Sequence, residues 1–384
     1  MKEKTYILNK ERYNIIGCLI IFFIISLISI YSANTISVNT NNDVLIKQVI
    51  FYILGTIVLI GTYRFKNEII KYRYLWYIGL NILLLFLLFF GVSVNGSKCW
   101  VFIGPFSFQP SEFMKLNLII IIASLLSKYE LKKKKSLKNE FILLLKILII
   151  VLVPSILTFL EPDTGVVIIY FLIMITLIIT KGINKRWYFI VSIILFLITI
   201  IFVTTYFFQR DFLINLLGSN IFYRIDRVLD WTNQHGYQLE KSLVSIGSAG
   251  LTGFGFNNIP LYFPEATTDF IFASFSSIFG FMGSLILFVA VIIFDVVLLK
   301  VINKKINLTD KYILIGIWVM IFYQQVQNIG MTLGLLPITG ITLPFISYGG
   351  SSLLSYMFII GIVLRMISDE KKYINWIILI LCFI

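Results

Sequence analysis

The chain has 384 residues, of which 59% are hydrophobic and only 13% charged, with a formal net charge of +13. A soluble single-core domain of this size is excluded, because its surface would need more charge. One nucleic-acid-binding face is also excluded, because the basic residues are spread through short connections between apolar runs.

Those runs set the fold class: an all-α polytopic membrane protein, a bundle of about ten transmembrane helices. Helices are the only candidates, since lipid leaves no partner for free backbone groups and the ten-residue alternation of a barrel is missing. The spans are expected near residues 14–33, 48–64, 74–94, 111–127, 141–160, 164–181, 187–208, 269–299, 311–334 and 351–368. The first follows a basic N-terminus but lacks a cleavage site, so a retained helix is expected. Every second connection is basic, from Arg64–Arg73 through "KYELKKKKSLK" to Lys300–Lys311, which puts these loops and both termini in the cytoplasm.

The outer connections hold most of the glycine, proline and acidic residues. The longest, 209–268, exceeds ordinary loop lengths and reads as a large extracytoplasmic loop, with "GYQLEKSLVSIGSAGL" expected as a short interfacial helix. The chain reads as one membrane domain over 1–384, closed by "YINWIILILCFI" (373–384), too short to span and read as an interfacial anchor. Cys18, Cys99 and Cys382 give no disulfide or zinc spacing, and the single histidine, His235, reads as a solvated loop residue.

In chain order, the first chemistry-bearing stretch is "GPFSFQPSEFMKL" (104–116). Pro110 and Ser111 signal a helix start, and Glu112 and Lys115 share a helix face at i,i+3 spacing. A lysine inside an apolar span faces a cavity or a partner, and an ion pair with Glu112 is the plain structural alternative. In "YFPEATTDFIFASF" (262–275), Asp269 stands before the eighth span. Thr268 or Asp269 could simply cap that helix; equally, a carboxylate kept ionised by the helix dipole could accept a proton from a substrate hydroxyl. "IGSAGLTGFGF" (246–256) and "LPFISYGGSSL" (343–353), the latter ending at Ser351 and Ser352, suit either close helix packing or backbone binding of an anionic headgroup. Arg224 and Arg227 add positive charge on the same side, while Asp295, deep in span eight, is expected to pair with Lys300 or a neighbouring helix. These residues describe a site for a lipid-linked anionic substrate, and by themselves leave enzyme and transporter both open.

Several long blocks resemble the SEDS family of bacterial cell-wall proteins, typified by RodA and FtsW. "WVFIGPFSFQPSEFMK", "EPDTG", "GYQLEKSLVSIGSAGLTGFGF", "PEATTDFIFA" and "NIGMTLGLLPITGITLPFISYGGSSL" are similar to family motifs, in order and across nearly the whole chain. The resemblance implies a multi-pass protein of the bacterial cytoplasmic membrane that polymerises lipid II into glycan strands at the outer face, alongside a class B penicillin-binding protein. It implies Asp269 as the catalytic residue. Glu112, Lys115, Trp100, Asp163 and Arg227 carry over as substrate-site positions, and Ser351 and Ser352 join them as candidates. No cofactor is required by the motifs; a divalent cation such as Mg or Mn, if it assists, would be held by carboxylates and phosphate. The chain departs from the family pattern at Thr267, Ser277, Ile278, Cys99 and Lys241, where a histidine, two glutamates, an arginine and a glutamine are usual. Those changes keep in play a catalytically weak scaffold that activates its penicillin-binding partner, and a lipid II flippase stays the alternative that the site residues by themselves leave open.

Overall fold

The structure, a computed structural model, describes residues 2–34, 43–92, 97–104, 106–130, 136–217, 237–256, 258, 261–305 and 307–368. Among them, 10 helices are long and apolar enough to cross a membrane. The helices run α1 (Lys2–Asn34), α2 (Asp43–Lys71) and α3 (Arg73–Phe90), then α4 (Pro110–Glu130), α5 (Leu137–Leu160), α6 (Thr164–Lys181) and α7 (Lys185–Phe208). Two short helices, α8 (Arg210–Leu217) and α9 (Tyr237–Ser248), precede α10 (Ile271–Lys304), α11 (Leu308–Thr332) and α12 (Gly350–Ser368). Each expected span is present. Several are longer than the apolar run alone: α2 runs on to Lys71, past a kink at Phe65 whose φ of −105° and ψ of 22° are non-helical.

Helix α4 is the axis of the bundle, packed against α3, α5, α6, α11 and α12 and buried along most of its length. In lipid, helix association depends on packing rather than on apolar transfer, so close approach matters. Between α2 and α12, a Cβ on Gly361 would collide with Thr62 and the Leu59 carbonyl, so glycine there lets the two backbones meet. Helix α7 is the opposite case, with exposed apolar side chains over nearly all its length.

At the end of the bundle where the basic connections lie, Lys66 of α2 pairs with Asp310 of α11 at 3.1 Å, and Lys305 donates to the Met366 carbonyl of α12. These buried groups tie three helices at one end and leave the other end for the loops that build the site. Within the bundle, the Gln325 amide of α11, with its nitrogen turned toward α10, donates to both Asp295 oxygens at 2.8 and 3.3 Å. Asp295 is therefore partnered by a neighbouring helix rather than by Lys300.

Helix α10 is broken at Gly280, whose φ of 63° and ψ of −158° are non-helical. The segment 250–255 fills the break. Phe254 and Gly255 donate backbone N–H groups to the Ser277 and Ile278 carbonyls, while Phe281 and Met282 donate to Gly250 and Leu251. Four backbone groups freed by the kink are thus re-satisfied, as membrane depth demands. A Cβ on Gly280 would run into the Gly253 and Leu251 backbone. The glycine stretch 246–256 therefore serves backbone contact, and Ser277 and Ile278 are fully buried beside it.

Candidate active site

The connection before α4 forms a hairpin of β1 (Val101–Ile103) and β2 (Phe106–Phe108), antiparallel with Val101 opposite Phe108. Pro110 opens α4, where its missing N–H is no loss. Ser351, at the start of α12, joins these pieces: its hydroxyl donates to the Ser107 carbonyl at 2.7 Å and accepts from the Gln109 N–H at 2.9 Å.

From this junction three charged residues converge. Asp163 caps α6 by accepting from the Val166 N–H, and its other oxygen accepts from Gln109 Nε2 at 2.8 Å and from the Ser111 hydroxyl at 3.3 Å. Glu112 pairs with Lys115 at 2.7 Å and accepts from the Ser355 hydroxyl at 3.2 Å. Lys115 has no exposed surface, and its ammonium lies 5.9 Å from the centre of the Tyr356 ring. Burial and the Glu112 charge push the Asp163 carboxyl up to about 6, against the pull of the Val166 N–H, the Lys115 charge and the Ser111 hydroxyl.

Two residues earlier sits Glu161, fully buried, with both carboxylate oxygens unpartnered. Burial, then the Asp163 charge, pushes it up to about 8, so it is held neutral at pH 7. Its carbonyl accepts from the Cys99 thiol, which places Cys99 under the connection between α5 and α6.

Asp269 approaches from the other side, on the turn before α10. Three consecutive carbonyls of that turn are tied down: Thr267 by the Tyr348 N–H at 2.9 Å, Thr268 by the Ser347 hydroxyl at 2.6 Å, and Asp269 by the Asn328 amide at 2.8 Å. The same amide holds the Ile341 carbonyl at 2.8 Å, fixing the segment that faces the aspartate. That segment is itself anchored by Phe345, whose ring packs with Phe22, Phe294 and Tyr356. At Gly340, φ is +68° and a Cβ would stand 3.4 Å from Asp269 Oδ2. The carboxylate itself is partly exposed, and among the described residues no hydrogen bond engages it.

Two expectations about this turn change. The N-cap of α10 is Phe270, with no side-chain cap, and Thr268 bonds Glu265 instead, at 2.6 Å. Asp269 is also not kept ionised by a helix dipole. Burial, with smaller contributions from the Glu265 and Asp163 charges, pushes it up to about 7.

Of the residues singled out from sequence, Glu112, Lys115, Asp163 and Ser351 thus share one network, and Asp269 is close enough to feel the Asp163 charge. Trp100 is half-buried directly before β1, and Ser352 is half-buried in the first turn of α12. Arg224, Arg227, His235 and the segment 373–384 lie outside the described residues. Among the described residues, no three His, Cys, Asp or Glu side chains are grouped to hold a metal ion, and the Asp163 oxygens are already taken by Gln109, Ser111 and Val166. Asn328, Ser347 and Glu161 were missed from sequence. The signals for Asn328 were a polar run, "YQQVQN", inside an apolar helix, and its place at the head of the block "NIGMTLGLLPITGITLPFISYGGSSL", which also contains Ser347.

Residues 12–373 match the family model of FtsW, RodA and SpoVE, described as a cell cycle protein. The chain belongs to this SEDS family. It is 35% identical over 380 residues, covering 93% of each chain, to a probable peptidoglycan glycosyltransferase FtsW of Wigglesworthia glossinidia brevipalpis. To stage V sporulation protein E of Bacillus subtilis it is 33% identical, covering 74% of each. Its fold resembles a solved chain from a peptidoglycan synthase complex that coordinates polymerization and crosslinking, with TM-score 0.77 and 23% identity over 94% of this chain and 98% of that one. It also resembles the rod shape determining protein RodA of Thermus thermophilus, with TM-score 0.67, 22% identity and the same coverage.

Proposed function

We propose that the protein is a peptidoglycan glycosyltransferase that polymerises lipid II at the outer face of the cytoplasmic membrane, with Asp269 as general base. The observation that carries this reading is the contrast among the site's carboxylates. Glu112 and Asp163 are engaged by several partners, and Glu161 is sealed from solvent. Among the described residues, Asp269 alone of these joins a fixed backbone to a partly exposed carboxylate that no hydrogen bond engages. A base near pH 7 is also well matched to its task, since it is half ionised yet basic enough to take a proton.

In this reading Asp269 takes the proton of the acceptor sugar's C4 hydroxyl, and that oxygen attacks C1 of the donor. The bond from C1 to the polyprenyl pyrophosphate breaks, the pyrophosphate departs with the electron pair, and the anomeric centre inverts. Lys115 is too enclosed to touch the leaving group, so its charge acts through Glu112 and Asp163, and direct neutralisation falls to Arg227. Asn328 and Ser347 are positioning residues that hold the turn. The likeness to a chain from a synthase complex supports a class B penicillin-binding protein as partner, and the basic connections support cytoplasmic termini.

The test is incubation of labelled lipid II with the purified protein, alone and with its penicillin-binding partner. Glycan strands are the expected product. No polymer in either preparation, together with transfer of lipid II across a vesicle bilayer, would favour transport instead.

A further inference from the structure

On the side marked as cytoplasmic by the basic connections, a groove between the first turns of α5 and α7 plays no part in the site above. It is an open groove of about 270 Å³, lined by Leu137, Lys138, Phe141, Arg186, Trp187 and Ile190. The Phe141 and Trp187 rings stack across it, with centroids 5.6 Å apart and planes 20° from parallel. The Trp187 N–H donates to Glu140 at 3.2 Å, which fixes the indole.

The charge at this groove is unbalanced. Lys138, Lys185 and Arg186 are exposed, and no carboxylate among the described residues pairs with any of them. Glu140, the acid two residues after Lys138, is bonded to the indole. Both helices also start here, capped by Ser136 and Asn184, so their positive dipole ends point the same way. Immediately beyond the groove the surfaces become apolar: α7 exposes Phe189, Ile193 and Leu197, and α5 exposes Leu145 and Ile149. Cations therefore sit where a headgroup would be, and hydrocarbon-facing surfaces where acyl chains would be.

We propose that this groove binds an anionic glycerophospholipid of the surrounding bilayer, with its phosphodiester between Lys138 and Arg186 and its chains running along α5 and α7. Basic pockets between membrane helices on the cytoplasmic side recognise such headgroups. An acidic protein partner fits less well, because the walls turn apolar toward the membrane rather than toward water. The bound lipid would cover apolar surface at the start of α7, which packs little against the bundle.

The test is native mass spectrometry of the full chain titrated with phosphatidylglycerol or phosphatidylcholine. The native chain should retain one more phosphatidylglycerol than the double variant Lys138→Gln/Arg186→Gln, with affinity lower by about thirty-fold in the variant. Lys300→Gln/Lys304→Gln removes the same charge elsewhere on that side and should bind as the native chain does. Equal retention by the groove variant, equal loss in the control, or phosphatidylcholine bound as tightly as phosphatidylglycerol would each overturn the proposal. Should the double variant not purify folded, the single variants, each weaker by about five-fold, carry the same test.

Discussion

Replacing Asp269 with asparagine should make the protein more stable at high pH while removing the proposed base. The folded chain holds the Asp269 proton up to about pH 7, whereas an ordinary carboxyl releases it near 3.8. A group whose folded pKa is raised contributes stability that is full below the unfolded value and is lost as pH rises through the folded one. Ionising Asp269 therefore costs folding free energy between about pH 4 and 7, and at pH 8 the whole cost is present. Three units would correspond to about 4 kcal/mol as a ceiling, and water reaching a partly exposed carboxylate reduces this to ~1–2 kcal/mol. Asparagine has a similar shape and no charge to desolvate. Thermal unfolding of native and Asp269→Asn protein in one detergent, at pH 5 and pH 8, should show a gain in apparent melting temperature that is larger at pH 8. An equal melting temperature at both pH values, or a loss at pH 8, would refute the argument that the site holds this carboxyl against its ionisation.

Asn328→Ala should leave the Asp269 and Ile341 carbonyls without their shared donor, costing about 1–3 kcal/mol in a denaturation series and lowering the turnover rate. Lys115→Met should destabilise by about 3–5 kcal/mol because it strands Glu112, and the double variant Lys115→Met/Glu112→Gln should recover part of that loss in a double-mutant cycle. Gly280→Ala should shift the α10 break against Gly253, seen as faster proteolysis of the 249–256 segment than in the native chain.

The spans were legible because a membrane imposes its own ruler, and twenty apolar residues in a row have few other uses. The Glu112–Lys115 pair was equally readable, since i,i+3 spacing on a helix fixes the contact before any tertiary structure forms. The hairpin at 101–108 was not, as two three-residue strands carry too little periodicity. Nor was the break at Gly280: a glycine in an apolar run reads as packing, and only the inserted segment 250–255 shows why it must be one. At the site, the identity of Asp269 was visible, but its environment was not. Its raised pKa comes first from burial, which only the fold creates, and the three carbonyl contacts come from residues far apart in sequence, Asn328, Ser347 and Tyr348, whose contacts local spacing does not reveal.

The most direct test of the central claim is the rate of lipid II polymerisation by Asp269→Asn in the presence of the penicillin-binding partner, on protein shown to be folded by its unfolding curve. Loss of a general base predicts a fall of about 10²–10⁴-fold relative to the native chain. Polymer formed at the native rate would contradict the account and leave Asp269 a feature of the turn alone.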